Sequence, residues 1–365
     1  MSQKVMETSF LEAVREREAQ VTTYLRDPRF RGWFGHPDLS TGVYSYLERP
    51  SKRLRPVVLL LACGAVGADE AIALPAAAGV ELFHTWTLVH DDLIDNDSQR
   101  RGGPTVHEYF AEQAARHDGR DPGWAAKFGR DMSILAGDSQ HAWSIWSFLE
   151  TGVLRPDLAP VALAVVQHLE SVVINRLIEG QILDVQFTQR DLKALDRGDI
   201  LEMLYLKTGA LYEFAAVAGA SIGLGRLDWD HPWIAAMGHF AKRCGTAFQL
   251  QDDILGIVGS GDRLGKPIGS DIREGKRTTI AYYAYQDADA AQRRRLDSLL
   301  GKRDADQEEF AEAVDLLVAL GGIQRTADLA RHMTQEALSY LGELPDSPCR
   351  RSLFDWAEFL VQREF

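Results

Sequence analysis

Three aspartates at the end of one predicted helix could bind divalent metal ions. In the segment FHTWTLVHDDLIDND, Asp91, Asp92 and Asp95 fall within an arc of about 100°, because a helix turns 100° per residue. Like charges at this spacing destabilise a helix, and anions at its C-terminal end oppose the helix dipole. The placement predicts a bound cation, although a single cluster of this kind is as often a solvated helix end.

A second acidic cluster strengthens the metal-binding interpretation. In FAKRCGTAFQLQDDILGIVG the apolar residues recur at helical spacing, and Gln249, Asp252 and Asp253 lie together near the end of the helix. If the two helices pack face to face, their five aspartates form an oxygen-rich array of the kind that Mg²⁺ prefers, with substrate phosphates completing the coordination. Without metal, mutual repulsion is expected to raise the pKa of some of these carboxylates.

Four basic segments could bind phosphate groups. They are SKRLRP at 51–56, the pair after the first acidic cluster at 100–101, YLKTGAL at 205–211 and GKPIGSDIREGKRT at 265–278. Each alone is more often ordinary solvated charge, but two of them lie close in sequence to an acidic cluster. Arginine forks, lysine point charges and bridging Mg²⁺ together indicate a diphosphate site. It is not a P-loop, because the pattern GxxxxGK[ST] is absent.

The elements that position these residues are predicted to be helices, because alternating strand patterns are scarce. The turn segments between them are too short to be interdomain linkers, so the sequence favours a single domain over 1–365, an all-α antiparallel helical bundle. The polar stretch 112–127 is expected to form an exposed loop or flap. The predicted helices span 10–25, 54–66, 70–95, 124–148, 159–188, 200–223, 232–258, 278–286, 307–320, 324–341 and 353–362.

Composition excludes several classes of protein. The 365 residues include 40 Lys and Arg against 53 Asp and Glu, a net charge of −13 that counts against a general nucleic-acid binder. Cys63, Cys244 and Cys349 have no metal-like spacing and do not suggest a disulfide framework. The N-terminal residues lack the apolar stretch of a signal peptide, and the longest apolar run, 57–68, is shorter than the ~20 residues that cross a bilayer. We therefore expect a cytoplasmic protein with no membrane span.

Taken together, the motifs resemble those of the trans-isoprenyl diphosphate synthases, the polyprenyl synthetase family that includes farnesyl and geranylgeranyl diphosphate synthases. The resemblance covers about 51–279, with C-terminal helices over 280–365, and rests on KRLRP, DDLID followed by RRG, GQILD, KTG, FQLQDD and GKPIGSDIREGKRT. It implies a bundle of the isoprenoid synthase type with a central active-site cavity, usually in a homodimer. About three Mg²⁺ ions would hold an allylic diphosphate for condensation with isopentenyl diphosphate.

The resemblance also implies roles for individual residues. Asp91 and Asp95 match ligands of two Mg²⁺ ions and Asp252 the ligand of a third, with Asp92 and Asp253 in support. Together with Lys207 and Lys266, those three ligands form the expected catalytic set. Positions that hold the allylic diphosphate are matched by Arg100, Lys207, Thr208, Gln249, Lys266 and Lys276, and those that bind isopentenyl diphosphate by Lys52, Arg55, His84 and Arg101.

One position departs from the family pattern. The second motif is commonly DDxxD, but Gly256 stands here in the last place, which puts the support around the third metal in doubt. Asp184, in GQILD, is expected to orient Lys207 or a metal-bound water.

Residues before the first cluster predict the length of the product. Trp86, five residues before Asp91, lies about 7.5 Å down the helix axis, where a large ring would stop elongation. Phe83 is one turn deeper and Thr87 is small, a pattern that resembles geranylgeranyl synthases, so a twenty-carbon product is predicted, with fifteen carbons second. Simple core packing of Trp86 is the alternative. A class I terpene cyclase and a noncatalytic regulatory subunit are the alternative functions.

Overall fold

The computed structural model describes residues 3–116, 119–259, 269–302 and 304–362. Helices dominate these residues, and the predicted all-α class is confirmed. The chain divides into two compact units, Met1–Val166 with Ala218–Leu227 and Gln167–Val217 with Asp228–Phe365. Whether the whole chain acts as one domain stays a prediction.

The helices follow one another through the chain with short connections. In order they are α1 (Gln3–Leu25), α2 (Pro28–Arg31), α3 (Pro37–Tyr44), α4 (Leu54–Ala65), α5 (Leu74–Asp95), α6 (Val106–Arg116), α7 (Pro122–Leu154), α8 (Ala159–His168), α9 (Ile174–Phe187), α10 (Arg197–Leu204), α11 (Ala210–Leu224), α12 (Pro232–Val258), α13 (Ser270–Glu274), α14 (Thr279–Asp287), α15 (Ala290–Leu299), α16 (Gln307–Ala319), α17 (Gly322–Leu341) and α18 (Pro348–Gln362). Strands β1 (Gln99–Arg100) and β2 (Gly103–Pro104) form a short antiparallel hairpin.

Shorter helical segments complete the backbone. Single 3₁₀ turns lie at Glu70–Ala73, Pro156–Leu158 and Leu192–Ala194. Two π-helical segments, Leu169–Val173 and Tyr205–Gly209, interrupt longer helical stretches.

The first unit is organised around the pairing of α5 with α7. Small residues on α5 allow the close approach: a Cβ added at Gly79 would lie 2.8 Å from the Phe148 ring. The Ser144 hydroxyl donates to the Gly79 carbonyl at 2.7 Å across the same contact. Helix α4 also packs on α5, and its side chains from Pro56 to Ala65 are buried. This packing fixes α5, the helix that ends in the first acidic cluster.

The second unit is organised around α12, which packs along α17 and also against α18. Its start is set by Pro232 in the first turn and by His231, whose Nδ1 accepts from the Trp233 amide. The rings of Tyr212, Phe240 and Trp356 form the large aromatic part of this core. The apolar face of α12 thereby holds in place the second acidic cluster near its C-terminal end.

Several helices were not predicted from the sequence. They include α6, although Val106, Phe110 and Ala114 form a regular buried stripe along it. The expected flap at 112–127 is wrong over most of its length, because α6 continues to Arg116 and α7 begins at Pro122. Asp121 caps α7 by accepting from two backbone amides, which explains why a polar stretch starts a helix here.

Two helical stretches of the described chain are long and apolar enough to cross a bilayer by length and composition alone. In Glu70–Asp95, 67% of the most apolar window is buried inside the protein, as in the core helix of a soluble protein; in Pro156–Phe187 the share is 33%. Length and composition are weak evidence for a membrane span, so its absence stays a prediction.

Candidate active site

The first acidic cluster occupies the last turn of α5. The helix ends at Asp95 because Asn96 adopts a left-handed conformation with φ of 58°, which asparagine tolerates better than most residues. Asp92 is completely buried, whereas Asp91 and Asp95 are half-buried. The three aspartates predicted from spacing therefore occupy one turn but differ in their access to solvent.

Both carboxylate oxygens of Asp92 are held by neighbouring side chains. The Tyr46 hydroxyl donates to Oδ2 at 2.6 Å, and Arg100 donates to Oδ1 through Nε at 2.8 Å and also through Nη2. Arg100 reaches Asp97 as well, at 3.0 Å. Burial alone would lower the pKa of Arg100, but its hydrogen bond with Asp92 raises it on balance. Asp92 therefore anchors a guanidinium group that the sequence assigned to substrate phosphate.

The β1–β2 hairpin places Arg100 and Arg101 next to this cluster. Arg49 fixes the hairpin by donating to the carbonyl oxygens of Arg100 at 2.7 Å and Pro104 at 2.8 Å. Arg101 lies at the turn with φ of 52° and donates to the Tyr46 carbonyl oxygen at 2.9 Å. The hairpin therefore brings Arg100 and Arg101, which follow the first acidic cluster in sequence, back next to the end of α5.

A buried ion pair holds the KRLRP segment. Arg53 takes a left-handed conformation with φ of 42°, and its Nη1 lies 2.7 Å from Glu81 Oε1 on α5. Arg101 Nη2 lies 3.2 Å from the same oxygen. Because Glu81 neutralises buried guanidinium charge, its removal is expected to disturb both basic segments.

Arg55 and His84, two predicted ligands of isopentenyl diphosphate, are in contact. Arg55 Nη1 lies 3.0 Å from His84 Nε2. Burial and the neighbouring Arg55, Arg101 and Arg100 charges lower the pKa of His84 well below its usual value, so the ring is neutral at pH 7. A neutral Nε2 can accept from Arg55 and thereby orient it. Lys52, the remaining member of this set in KRLRP, is exposed.

The predicted chain-length residues belong to an aromatic cluster between α5 and α7. The Trp86 ring lies 4.9 Å from the Phe83 ring and 4.8 Å from the His141 ring, measured between centroids. Phe83 is completely buried, whereas Trp86 is half-buried. Thr87 donates its hydroxyl to the His84 carbonyl oxygen at 2.8 Å. Of the three, Trp86 is therefore the large side chain with an accessible surface.

The second acidic cluster is held by a chain of hydrogen bonds that starts at Thr208. Its hydroxyl donates to Gln249 Oε1 at 3.0 Å, and Gln249 Nε2 donates to Asp253 Oδ1 at 2.8 Å. Asp253 is only 4% exposed, and within the described residues its Oδ2 atom is buried without a hydrogen-bond partner. Asp252 is half-buried.

The pKa of Asp253 is raised well above its usual value. Burial is the largest cause and the charge of Asp271 the next, with Asp252 adding to them against the opposing effects of Gln249 and Lys276. Repulsion from Asp252, a member of the same cluster, acts in the expected direction, but burial and the charge of Asp271 contribute more. Asp253 thus favours a proton or a cation beside it.

Lys207 lies in the π-helical segment Tyr205–Gly209, an irregularity often found at functional sites. Gly180 lets α9 approach that segment, because a Cβ there would lie 2.2 Å from the Lys207 backbone nitrogen. Asp184, one turn later on α9, lies 2.6 Å from Lys207 Nζ through its Oδ2. The expected contact between Asp184 and Lys207 is confirmed, and Lys276 Nζ lies 3.9 Å from the same carboxylate oxygen.

These groups of the second unit line one cavity. Its polar lining includes Asp184, Lys207, Gln249, Asp253, Asp271 and Lys276. Lys266, which the sequence placed in the same set, lies outside the described residues. The cavity combines carboxylates with lysines, the mixture that binds a phosphate together with its metal ion.

The oxygen donors around this cavity determine which cation it could bind. Within the described ranges no three His, Cys, Asp or Glu side chains are already gathered as a metal site. A buried carboxylate oxygen without a hydrogen-bond partner, Asp253 Oδ2, nevertheless suits a hard cation, and Mg²⁺ usually takes only one or two protein carboxylates beside water and phosphate oxygens. The residues of this cavity fit Mg²⁺ bound together with a diphosphate.

Some residues of these sites could not be found from the sequence. Tyr46 and Glu81 contact arginines of the first unit, yet neither belongs to a motif, and Asp97 ends a quoted segment in which it was given no role. Arg53 was noted only as part of a basic segment. Buried partners that are far away in the chain, such as Tyr46 and Glu81, leave no spacing signal.

Comparisons with known proteins agree with the motifs. The sequence model of the Polyprenyl synthetase family matches residues 37–317. The short chain isoprenyl diphosphate synthase of Methanothermobacter thermautotrophicus is 35% identical over 86% of this chain and 86% of its own length. The geranylgeranyl diphosphate synthase of Saccharolobus solfataricus is 34% identical, again over 86% of each chain. A crystal structure of geranylgeranyl pyrophosphate synthase from Corynebacterium glutamicum, complexed with isoprenyl diphosphate and magnesium, matches with a TM-score of 0.82 and 28% identity, covering 97% of this chain and 99% of the other.

Proposed function

Because this chain belongs to the polyprenyl synthetase family, we propose that it is a Mg²⁺-dependent trans-prenyltransferase. It condenses an allylic diphosphate with isopentenyl diphosphate, releases inorganic diphosphate and forms a trans-polyprenyl diphosphate. The observation that supports this most strongly is the cavity of the second unit, where Lys207 and Lys276 lie beside Asp184 and the buried Asp253.

The two acidic clusters serve the allylic substrate in this proposal. Asp91, Asp95 and Asp252 would hold about three Mg²⁺ ions through their carboxylates, with Asp92 and Asp253 in support. Thr208 and Gln249 orient Asp253 through the hydrogen bonds described above. Lys207, held by Asp184, and Lys276 donate to the allylic diphosphate, and Lys266 and Arg100 are proposed for the same substrate.

Isopentenyl diphosphate is proposed to bind the basic residues of the first unit. These are Lys52, Arg55, Arg101 and the neutral His84. Since Arg53 and Glu81 hold their neighbours in place, the arginines are oriented before the substrate arrives. Such preorganisation of the planar guanidinium groups reduces the cost of binding a charged phosphate group.

Departure of the diphosphate depends on positive charge beside the leaving group. Mg²⁺, when bound, neutralises the negative charge that develops on the leaving group. Lys207 and Lys276 add fixed positive charge, which stabilises the same developing charge. The C–O bond of the allylic substrate breaks, and the double bond of isopentenyl diphosphate then attacks the allylic cation. The proton lost afterwards goes to the released diphosphate, because no motif residue is an evident general base.

The proposed product has twenty carbons, and a fifteen-carbon product is the alternative. Trp86 presents a half-buried ring five residues before Asp91, and that ring rests on Phe83 and His141. Trp86→Ala should lengthen the product by at least one five-carbon unit. A matched control is Phe248→Ala, which removes an aromatic ring four residues before Asp252 and should leave the product length unchanged. If the distribution of product chain lengths is unchanged in Trp86→Ala, Trp86 serves core packing and does not set the product length.

We also propose that the chain works as one domain within a homodimer in the cytoplasm. Ile178, Ile182 and Val185 form an apolar stripe on α9 and are 47%, 51% and 47% exposed. Exposed apolar side chains at helical spacing are typical of a surface that another protein covers. Light scattering on the purified chain should give twice the mass of 40.7 kDa, and a mass of one chain would contradict this proposal.

One experiment separates the proposed function from its rivals. Purified chain is incubated with Mg²⁺, isotope-labelled isopentenyl diphosphate and, in turn, dimethylallyl, geranyl or farnesyl diphosphate, and the products are analysed by mass spectrometry. We expect labelled prenyl diphosphates up to twenty carbons. Unlabelled cyclic hydrocarbon would indicate a class I terpene cyclase, and no turnover by the chain alone would favour a noncatalytic subunit.

A further inference from the structure

Gly256 takes the last place of the DDILG motif, where the family pattern commonly has aspartate, and another carboxylate lies beside it. A Cβ added at Gly256 would lie 3.4 Å from Asp271 Oδ2, at ordinary contact distance. The Gly256 carbonyl oxygen also accepts a 2.9 Å hydrogen bond from the Gly269 amide. The segment that carries Asp271 is therefore joined to the last turns of α12 at this position.

Two glycines keep this segment in place. Gly269 has φ of +78°, and a Cβ there would lie 1.9 Å from the Phe310 ring. Gly275 has φ of +70°, and a Cβ there would lie 2.9 Å from Gly301 Cα. Because positive φ and close packing both favour glycine, the short helix α13 between these residues is held at both ends. Asp271 thus has a fixed backbone position next to Gly256.

Asp271 lines the cavity that contains Asp253. Lys276 Nζ lies 3.8 Å from Asp271 Oδ1, and the same lysine lines this cavity. Within the described part of the chain, the buried Asp253 Oδ2 has no hydrogen-bond partner. An oxygen of this kind is costly to bury as an anion unless a cation or a proton accompanies it.

We propose that Asp271 supplies the carboxylate that the second motif lacks at Gly256. Asp253 and Asp271 then face the same Mg²⁺ ion with its water shell, and glycine at 256 leaves room for the side chain of Asp271. The inference rests on the proposed function, and it assigns Asp271 as a positioning residue for the ion that accompanies the allylic diphosphate.

The test moves the carboxylate from one position to the other. Wild type, Asp271→Asn and the double variant Gly256→Asp with Asp271→Asn are titrated with inorganic diphosphate by calorimetry, at fixed Mg²⁺ and without Mg²⁺. Glu274→Gln is the matched control, because Glu274 lies on the same short helix and contacts Lys276 at 3.2 Å. The Mg²⁺ concentration for half-maximal turnover is measured in parallel.

We expect Asp271→Asn to weaken Mg²⁺-dependent diphosphate binding by about tenfold, whereas Glu274→Gln changes it by less than about threefold. The double variant should recover most of the affinity. The proposal is overturned if Asp271→Asn behaves like Glu274→Gln, or if the double variant stays as weak as Asp271→Asn, since Asp271 would then serve only its helix or Lys276. If the wild-type protein binds diphosphate with Mg²⁺ but transfers no prenyl group, the proposed function is refuted. The diphosphate affinities of the variants would still test the role of Asp271 in that case.

Discussion

The two acidic helix ends are alike in sequence but differ in how their charge is balanced. Asp92 is completely buried at the end of α5, and its oxygens accept hydrogen bonds from Arg100 and Tyr46. Asp253 is also buried, but its Oδ1 accepts from Gln249, a neutral group, and its Oδ2 has no hydrogen-bond partner in the described chain. A guanidinium group balances the charge of the first carboxylate, whereas one oxygen of the second has no hydrogen-bond partner among the described residues.

This difference shows that the second aspartate of a DD pair need not have the same role at both sites. In the first unit it anchors Arg100 and, through it, the hairpin that carries Arg101. In the second unit it lies buried, and burial together with the charges of Asp271 and Asp252 raises its pKa. Buried carboxylates with a raised pKa are typical of functional sites, where stability is lower than it would otherwise be.

The largest change in the free energy of unfolding is expected when Asp92, the carboxylate paired with Arg100, is replaced. Asp92→Asn leaves Arg100, whose side chain is 15% exposed, without its main anionic partner and should reduce the free energy of unfolding by about 3 kcal/mol. Urea unfolding at pH 7 without Mg²⁺ measures this change. The half-buried Asp95 provides the control, because Asp95→Asn should cost less than about 1 kcal/mol. Equal losses for the two variants would show that the hydrogen bonds of Asp92 do not stabilise the fold.

In the second cluster, removing the buried aspartate is expected to increase the free energy of unfolding rather than to decrease it. A carboxyl group whose pKa is higher in the folded than in the unfolded state destabilises the folded state at neutral pH. Asp253→Asn keeps an acceptor for Gln249 and removes the charge, so it should raise the free energy of unfolding by about 1 kcal/mol without Mg²⁺. The same urea measurement applies. The gain in stability from Mg²⁺ with inorganic diphosphate should shrink in this variant, and a destabilised protein would contradict the account.

The smallest expected effect is a change in how the melting temperature depends on pH when His84 of the first unit is replaced. The pKa of His84 is lowered in the folded state, so the stability that depends on its neutral form is complete above the unfolded value of about 6.5 and is lost as pH falls toward the folded value. His84→Asn should therefore make the decline in melting temperature between pH 7 and pH 5 shallower by roughly 1 °C. His36→Asn, at an exposed histidine, is the control and should leave the slope as in wild type. A steeper decline in His84→Asn would mean that the ring is charged when folded.

Sequence alone predicted the helices that carry the clusters more accurately than the partners of the clusters. The bounds of α5 and α12 follow from long apolar periodicity that ends at Asn96 and Gly259, where the turn chemistry is local. The neutralisation of Asp92 depends on Tyr46, which is 46 residues away in the chain and stands outside every motif. Spacing therefore predicts which residues share a helical turn but not which charge is balanced by a distant side chain.

The π-helical segment and the short helix α13 illustrate the same limit. Lys207 was identified from its motif. Its position depends on how closely α9 approaches the π-helical segment at Gly180, and this approach is visible only in the packed structure. Asp271 was part of a quoted motif, yet its position next to Gly256 follows from a turn with positive φ at Gly269. Tertiary contacts decide both placements, and a single sequence carries no periodic signal for them.

The proposed function has Asp91 and Asp252 act on the same bound diphosphate, and a double-variant cycle tests that proposal directly. Calorimetry gives the affinity for inorganic diphosphate with Mg²⁺ in wild type, Asp91→Asn, Asp252→Asn and the combined variant. The effects of residues that act on one bound group do not add. Each single variant should therefore lose about tenfold in affinity for diphosphate. The combined variant should bind only slightly more weakly than the single variant with the lower affinity. Wild-type affinity in either single variant, or a combined loss equal to the product of the two single losses, would contradict the claim.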